Sequence, residues 1–163
     1  SVIISKVFER CIIDRFDNFL VSSDNQFAFK KGLGGNHAIF TVRKVVEQYI
    51  NSGNTVNLCA IDLSKAFDKT NHHALFIKLM NRQLPVALLN LFEVWYSNCW
   101  TCIRWGACTS PFFQIKLGVR QGSVLSPYLF AVFLDDLTAR YSPGQGICLI
   151  MYADDITYCT IYM

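Results

Sequence analysis

The sequence predicts an α+β fold, because helical and strand-like segments mix along the chain without strict alternation. Several segments carry apolar residues at helical spacing, and two others are short apolar runs that end at aspartates. The 163 residues are enough for one domain with a hydrophobic core. Since 52% of the residues are hydrophobic and only 17% are charged, we expect this chain to be a piece of a longer protein that covers part of its surface.

The first third of the chain predicts two helices around a short extended piece. Residues 2–20 have helical periodicity, and residues 26–29 are expected to be extended. Asn36 is a candidate cap for the second helix, which Asn51-Ser52-Gly53 ends. A strand is expected over residues 55–63.

The middle of the chain predicts two more helices and a pair of strands. A helix begins near Asn71, Leu84-Pro85 interrupts it, and a second helix continues to about Tyr96. Strands are expected over residues 100–105 and 112–117, joined by a turn around Gly106.

The last third predicts one helix and one hairpin. Pro127 opens a helix that runs to about Tyr141, and residues 142–144 form a turn. The final element is a hairpin around Asp154-Asp155.

Composition narrows the class of protein. No run approaches the roughly 20 apolar residues of a membrane span, so we expect no membrane contact. The net charge of +3 permits contact with a polyanion without arguing for it.

Seven cysteines, an odd number lying mostly in apolar runs, indicate buried reduced thiols in an intracellular protein of the nucleus or cytoplasm. One CxxC, Cys99 to Cys102, is weak evidence for zinc and is better explained by a strand, and the three tryptophans are expected in the core.

Two acidic sites, Asp62 and Asp154-Asp155, stand where apolar runs that we expect to form buried strands meet water. Ionised carboxylates beside a core are unfavourable unless they are paired or bind a cation, and two adjacent aspartates repel each other. If a sheet brings both sites together, they form an oxygen-lined site for a divalent cation. The alternatives are a solvated hairpin turn for the pair and a helix cap for Asp62, while Asp68 is interpreted as structural.

A third segment, Gly118-Val119-Arg120-Gln121-Gly122, precedes the predicted helix at Pro127. Glycines allow another group to approach the backbone, and a helix N-terminus favours an anion. Taken alone, the segment is best explained as a loop with a capping sequence.

These segments in this order resemble the reverse transcriptases, most closely those of non-LTR (LINE-type) retrotransposons. Asp62-Leu63-Ser64-Lys65-Ala66-Phe67-Asp68 resembles the first catalytic-aspartate motif, and Tyr152-Ala153-Asp154-Asp155 resembles the catalytic hairpin. Arg120-Gln121-Gly122-Ser123 with Leu125-Ser126-Pro127 is similar to the motif that grips template and nucleotide. Gln26-Phe27-Ala28-Phe29-Lys30-Lys31-Gly32 is similar to a fingers motif, from which Leu33-Gly34-Gly35 departs, because an Arg-Ser-Thr-like pattern is expected there.

The resemblance implies a right-hand polymerase fingers–palm fold with an antiparallel palm sheet packed on helices. Residues 1–54 and 72–118 would be fingers-side or connecting elements, and residues 55–71 and 119–163 would be palm. The thumb and an endonuclease region would lie outside this chain, and the isolated chain is expected to be inactive.

The implied activity is RNA-directed DNA synthesis, in which deoxynucleoside triphosphates extend a DNA primer on an RNA template. Two Mg²⁺ ions, with Mn²⁺ as an alternative, would be bridged by Asp62 and Asp154. Asp155 would assist as a third carboxylate ligand, and the carbonyl of Leu63 would complete one coordination shell. The Arg120-Gln121-Gly122 segment argues against a template-free nucleotidyltransferase or cyclase, since such enzymes need no template grip, whereas a catalytically inactive remnant that keeps the fold or nucleic-acid binding stays open.

The resemblance also implies contacts with the substrates. Phe67 would be a steric gate against the 2′-hydroxyl of ribonucleotides. Arg120 and Tyr152 would contact template or primer. The implied nucleotide-binding residues are Lys30, Ser64, Lys65, Ala66, Phe67, Gln121 and Gly122.

Overall fold

The centre of the fold is a three-stranded antiparallel sheet. The computed structural model describes residues 3–139 and 146–162. Its main strands are β1 (Thr55–Asp62), β6 (Ile147–Tyr152) and β7 (Asp155–Tyr162), in the order β1-β7-β6. The antiparallel sheet and its surrounding helices confirm the α+β prediction.

The strand register places the end of β1 beside the hairpin turn. β1 pairs with β7 along its whole length, from Thr55 opposite Tyr162 to Asp62 opposite Asp155. β6 and β7 form a hairpin in which Tyr152 also faces Asp155, with Ala153 and Asp154 in the turn. The predicted hairpin is therefore confirmed, and Asp155 is the first residue of its second strand.

Within the described residues, six helices surround the sheet. They are α1 (Ile3–Leu20), α2 (Gly35–Asn51), α3 (His72–Asn81), α4 (Val86–Ser97), α5 (Ser126–Leu134) and the short α6 (Asp136–Ala139). A 3₁₀ turn, Phe67–Lys69, follows β1. The N-cap of α3 is Asn71, whose side-chain oxygen accepts a hydrogen bond from the Ala74 amide, as its sequence position predicts.

One hydrophobic core joins four helices to one face of the sheet. Its fully buried residues include Leu75 and Leu79 of α3, Phe92 of α4 and Leu129 of α5. Met151 of β6, also fully buried, belongs to the same cluster. Because side chains alternate across a strand, the opposite face of the sheet is left to α2, which packs on β1 and β6.

β1 is the edge strand of the described sheet, and nearly all its residues are exposed. The expectation of a buried strand is therefore wrong for β1, and so is the expectation of a buried thiol at Cys59. Cys159, on the central strand, is fully buried as expected.

The segment after α4 forms two short strand pairs instead of two long strands. β2 (Trp100–Thr101) pairs with β5 (Phe113–Gln114), and β3 (Arg104–Trp105) pairs with β4 (Cys108–Thr109). Pro111, which has no amide hydrogen, interrupts the ladder between β4 and β5.

Three further expectations about this region are corrected or confirmed. The turn at Gly106 is confirmed, with a φ of +59°. Trp100 and Trp105 are exposed rather than in the core, because their strands do not pack on it. Cys99 and Cys102 flank β2 instead of lying on a strand.

Three element boundaries differ from the predictions. In the predicted extended piece only Gln26 pairs, with Met151, because Phe29 turns the chain with a φ of +63°. The N-cap of α2 is Gly34 rather than Asn36. The predicted helix from Pro127 divides into α5 and α6 at Asp135, and the turn at residues 142–144 lies outside the described residues.

The described helices include none with the length and apolar content needed to cross a membrane.

Candidate active site

Asp62 and Asp155 face each other at one end of the sheet. They form the last pair of the β1–β7 register, and the Leu63 amide donates to the Asp154 carbonyl at 3.4 Å just beyond it. This pattern marks a non-hydrogen-bonded antiparallel pair, in which the two Cα atoms lie about 4.5 Å apart and the side chains share one face. Both aspartates are exposed, so two like charges stand side by side at the water boundary.

Asp154 lies in the turn and is half-buried. The resemblance implies Asp62 and Asp154 as the bridging ligands, whereas the register makes Asp155 the direct neighbour of Asp62. All three aspartates therefore lie at one end of the sheet, where strand pairing places Asp155 directly opposite Asp62 and Asp154 in the adjoining turn.

The side chains that could act as metal ligands decide whether a divalent cation fits this site. Among residues 3–139 and 146–162, no three His, Cys, Asp or Glu side chains are arranged as a metal cluster. Mg²⁺ usually takes one or two carboxylates and completes its shell with phosphate oxygens and water. The facing pair of Asp62 and Asp155 fits this open kind of site, and it does not form a closed cage of three carboxylates.

Gln26 anchors the hairpin turn, a role that sequence reasoning missed. Its side chain is fully buried. Its Oε1 accepts from the amides of Ala28 and Ala153, both at 3.0 Å, and its Nε2 donates to the Ala153 carbonyl at 3.2 Å. Ala153 has a φ of +56°, so a side-chain clamp holds a turn residue in the left-handed region. The available signal was a glutamine directly before the apolar residues Phe27-Ala28-Phe29.

The segment after Asp62 folds back on itself. The Leu63 carbonyl accepts from the Ala66 amide at 3.1 Å, and Lys65 has a φ of +55°. Ser64 and Lys65 are exposed, while Leu63 and Ala66 are half-buried. The tight turn therefore presents two polar side chains to solvent directly after the aspartate.

Phe67 is held by the core. Its ring stacks on Phe130 of α5 with centroids 4.4 Å apart, and Phe29 meets it edge-on at 6.3 Å. The ring is half-buried, so part of it faces the space beside the turn. Packing thus gives Phe67 a defined orientation five residues after Asp62.

The loop at residues 118–122 docks on the segment that follows β1. The Gly118 amide donates to the Thr70 carbonyl and the Val119 amide to the Phe67 carbonyl, each at 2.8 Å. Gln121 Nε2 donates to Asp68 Oδ1 at 2.9 Å. Asp68, interpreted from the sequence as structural, is therefore the residue that orients the side chain of Gln121.

The docking needs a glycine at position 118. Gly118 has a φ of +91°, and a Cβ atom there would lie 2.8 Å from the Asp68 carbonyl oxygen. His72, for which the sequence suggested no role, has Nε2 2.7 Å from the Gly118 carbonyl. Close backbone approach between the two segments explains this glycine.

Glu9 supports the same loop from the opposite side, and sequence reasoning missed it. It lies on α1 and is 1% exposed. Its Oε2 accepts from Ser123 Oγ at 2.8 Å and from the amides of Val124 at 2.5 Å and Leu125 at 3.3 Å. The carboxylate therefore binds the chain just before α5 and ties α1 to the loop that carries Gln121.

The remaining predicted site residues surround these elements. Arg120 and Gly122 are exposed, and Gly122 has a φ of +77°. Tyr152 is partly exposed, and its ring lies 3.9 Å from the position that a Cβ on Gly35 would take. The Lys30 ammonium donates to the Ser23 carbonyl at 2.6 Å and lies 3.8 Å from Asp24.

Comparison with known proteins supports the assignment that the motifs suggest. An RNA-directed DNA polymerase from mobile element jockey of Drosophila funebris is 27% identical over 96% of this chain and 18% of that protein. A retrovirus-related Pol polyprotein from type-1 retrotransposable element R2 of Popillia japonica is 29% identical over 69% of this chain and 21% of that protein. The chain thus spans about a fifth of the length of these relatives.

The fold is similar to that of apo telomerase from Candida tropicalis truncated from its C-terminal domain. The TM-score is 0.60 at 13% identity, over 96% of this chain and 33% of that one. The profile described as "Reverse transcriptase (RNA-dependent DNA polymerase)" matches residues 2–161. The resemblance to reverse transcriptases of non-LTR retrotransposons is confirmed, and the chain belongs to the reverse transcriptase family.

Proposed function

We propose that this chain is the fingers–palm part of an RNA-directed DNA polymerase that extends a DNA primer on an RNA template during retrotransposition. Residues 55–71 and 119–163 would form the palm, and residues 1–54 and 72–118 the fingers-side and connecting elements. The observation that carries the proposal is the register of β1 and β7, which sets Asp62 opposite Asp155 beside the turn with Asp154. A thumb and an endonuclease region would lie outside this chain.

The three aspartates would hold the metal ions. When bound, Mg²⁺ would activate the primer hydroxyl and neutralise charge on the triphosphate. The repulsion between Asp62 and Asp155 favours capture of a cation, and their exposure leaves room for substrate oxygens. Catalysis by the chain itself is then mainly positioning of the reacting groups.

The surrounding residues would position the substrates. Ser64, Lys65 and Ala66 would lie along the incoming nucleotide, with Lys30 reaching its phosphates. Gln121, held by Asp68, and Gly122 would contact the nascent base pair. Arg120 and Tyr152 would contact template or primer, and the packed ring of Phe67 would exclude a 2′-hydroxyl.

The test is primer extension on an RNA template with Mg²⁺, by a polypeptide that includes the sequence encoded on both sides of this chain. We expect extension that Asp62→Asn and Asp154→Asn each reduce by at least about a thousandfold, the scale of losing a major electrostatic stabiliser. Asp14→Asn, on the exposed outer side of α1, is the control and should extend normally. Full activity of Asp62→Asn would refute the proposal.

The steric gate has its own test. Phe67→Val removes the ring and should raise incorporation of ribonucleotides relative to deoxynucleotides. The measurement is the ratio of kcat/KM values for the two nucleotides, with Phe40→Val, an exposed aromatic on α2, as the control. An unchanged ratio would exclude Phe67 as the gate.

A second candidate is a catalytically inactive remnant that still binds nucleic acid. It is favoured by Leu33-Gly34-Gly35, which stands where the resemblance predicts an Arg-Ser-Thr-like pattern. It is also favoured by Lys30, whose ammonium is occupied by the Ser23 carbonyl. Retained RNA binding without primer extension would select this candidate.

A further inference from the structure

The segment from Trp100 to Leu117, here called the aromatic hairpin segment, exposes an unusual amount of apolar surface. Trp105 is 85% exposed, Phe112 is 71% exposed and Trp100 is 59% exposed. Aromatic side chains normally bury large areas, so several exposed rings in one short segment mark a binding surface.

Along the sequence, the charges of this segment and its neighbours have one sign, although Asp68 lines the cleft beside it. The sequence contains no acidic residue between Glu93 and Asp135, although the chain has 12 in total. Three basic residues, Arg104, Lys116 and Arg120, fall within that interval, and all are exposed. In the described part of the chain none of them forms an ion pair with a carboxylate. Their charge is therefore available to an anionic partner.

A cleft connects the aromatic hairpin segment to the candidate active site. Its volume is about 380 Å³, and it runs between Phe113 and Leu117 on one side and Gln121 on the other. Arg120 also lines it. Part of the segment, at Thr101 and Phe113, therefore shares a cleft with the loop that carries Gln121.

We propose that the aromatic hairpin segment binds a single-stranded polynucleotide, with bases stacking on Trp105 and its neighbouring rings and phosphates contacting Arg104 and Lys116. Aromatic rings interleaved with unpaired basic side chains suit a single strand, because every unpaired base offers a π-face and every linkage carries a charge. A protein partner that binds through apolar contacts would use the rings, but it would not require the absence of acidic residues between Glu93 and Asp135. The inference extends the proposed function by adding a strand-binding surface outside the aspartate site.

The test is fluorescence anisotropy of labelled RNA and DNA oligonucleotides of about 12 nucleotides, a length in the range of single-strand sites. We expect Trp105→Ala to weaken binding about 5- to 150-fold, the range that corresponds to loss of one stacked base. Trp105→Phe keeps a stacking ring and should restore most of the affinity. Arg104→Ala with Lys116→Ala should lower the slope of log K against log salt by about 1.4, or about 0.7 per lost phosphate contact. A larger effect on RNA than on DNA would assign the strand to a template, and the reverse would assign it to a primer.

Matched controls lie outside the segment. Phe40→Ala removes an exposed ring from α2, and Lys6→Ala removes an exposed charge from α1. Both should leave the affinity within about twofold, which is less than the loss of one stacked base. Unchanged melting temperatures would show that the variants are folded.

Three results separate the hypotheses. If Trp105→Ala and the basic double variant bind oligonucleotides like the unmodified chain, the inference is wrong. It is also wrong if Trp105→Ala abolishes self-association in sedimentation without weakening oligonucleotide binding, since the segment is then a protein contact. The Asp62→Asn variant should bind oligonucleotides normally although it loses primer extension. Measuring both quantities on this variant tests the active-site proposal and the strand-binding proposal separately.

Discussion

At the residue scale, the candidate site combines two mutually repelling carboxylates with one close backbone contact. Asp62 and Asp155 face each other as like charges, and Gly118 sits against the backbone of Asp68. The like charges repel each other across the sheet, and the positive φ and close backbone contact of Gly118 would be strained for a residue with a Cβ atom. Both features persist because the surrounding packing holds the end of β1 and the loop at Gly118 in place.

The facing aspartates predict a stability change opposite to that of most substitutions. Without metal, Asp62→Asn or Asp155→Asn should raise the free energy of unfolding by about 0.2–1 kcal/mol, since each removes a cross-strand repulsion. Mg²⁺ should raise the melting temperature of the unmodified chain more than that of either variant. Thermal unfolding with EDTA and with Mg²⁺ measures both effects, and lower stability of both variants in EDTA would contradict the facing geometry.

Gly118 predicts a strong steric effect. Gly118→Ala should lower the free energy of unfolding by more than the roughly 1–2 kcal/mol of a left-handed alanine, because its Cβ also meets the Asp68 carbonyl. Gly53→Ala is a matched control, with a φ of +80° and no atom within 4 Å of the added Cβ. Urea denaturation of both variants gives the comparison, and equal losses would show that the contact with Asp68 is unimportant.

At the scale of elements, buried polar side chains join parts of the chain that are distant in sequence. Gln26 holds the β6–β7 turn, and Glu9 holds the chain before α5. The half-buried Arg82, directly after α3, pairs with the half-buried Asp135, whose Oδ1 accepts from the Ser23 amide at 2.6 Å. The contacts of Gln26 and Glu9 fix loops beside the candidate site, and a buried polar group left without its partner costs stability.

Gln26→Leu tests the first of these contacts. The substitution keeps the size of the side chain but leaves the amides of Ala28 and Ala153 without their acceptor. We expect a loss of about 1–3 kcal/mol and faster hydrogen exchange at Ala153. Gln48→Leu, on the exposed side of α2, should change neither quantity. Unchanged exchange at Ala153 would show that Gln26 does not hold the turn.

At the scale of the whole molecule, the burial of titratable side chains also shapes the response to pH. Cys159 lies in the central strand opposite Cys148, and burial, with a smaller contribution from Cys148, raises the pKa of Cys159 to about 11. Burial likewise raises the pKa of Cys148 and of Tyr96. At alkaline pH values at which these groups ionise in the unfolded chain, they therefore stay protonated in the folded chain.

The sign of the pH dependence follows. The contribution of Cys159 to stability is full below the ordinary thiol pKa of 9.0 and is lost as the pH rises toward about 11. We expect the free energy of unfolding to fall over this interval, and Cys159→Ala should make the fall shallower even though its stability at neutral pH is lower. Urea denaturation at several pH values measures the slope. Cys59→Ala, at an exposed thiol, should keep the original slope, and an identical slope for Cys159→Ala would exclude this origin.

Much of the fold was predictable because its signals are local. The helix at His72–Asn81 follows from its Asn71 cap and apolar spacing, and the end of α2 follows from residues 51–53. The hairpin and the position of Asp62 at a strand end follow in the same way. Of the boundaries that were wrong, the one at Asp135 involves contact with a distant residue, Ser23, whereas the one at Gly34 is formed locally with His37.

The sequence by itself determined the elements, the order of the motifs and the family, since periodicity, capping and motif spacing are properties of neighbouring residues. Tertiary structure alone decided that Asp155 faces Asp62, that Glu9 and Gln26 are buried anchors, and that β1 and the aromatic hairpin segment are exposed. The physical reason is that strand register and burial are set by pairings between residues about 100 positions apart, and local propensity cannot encode which partner prevails.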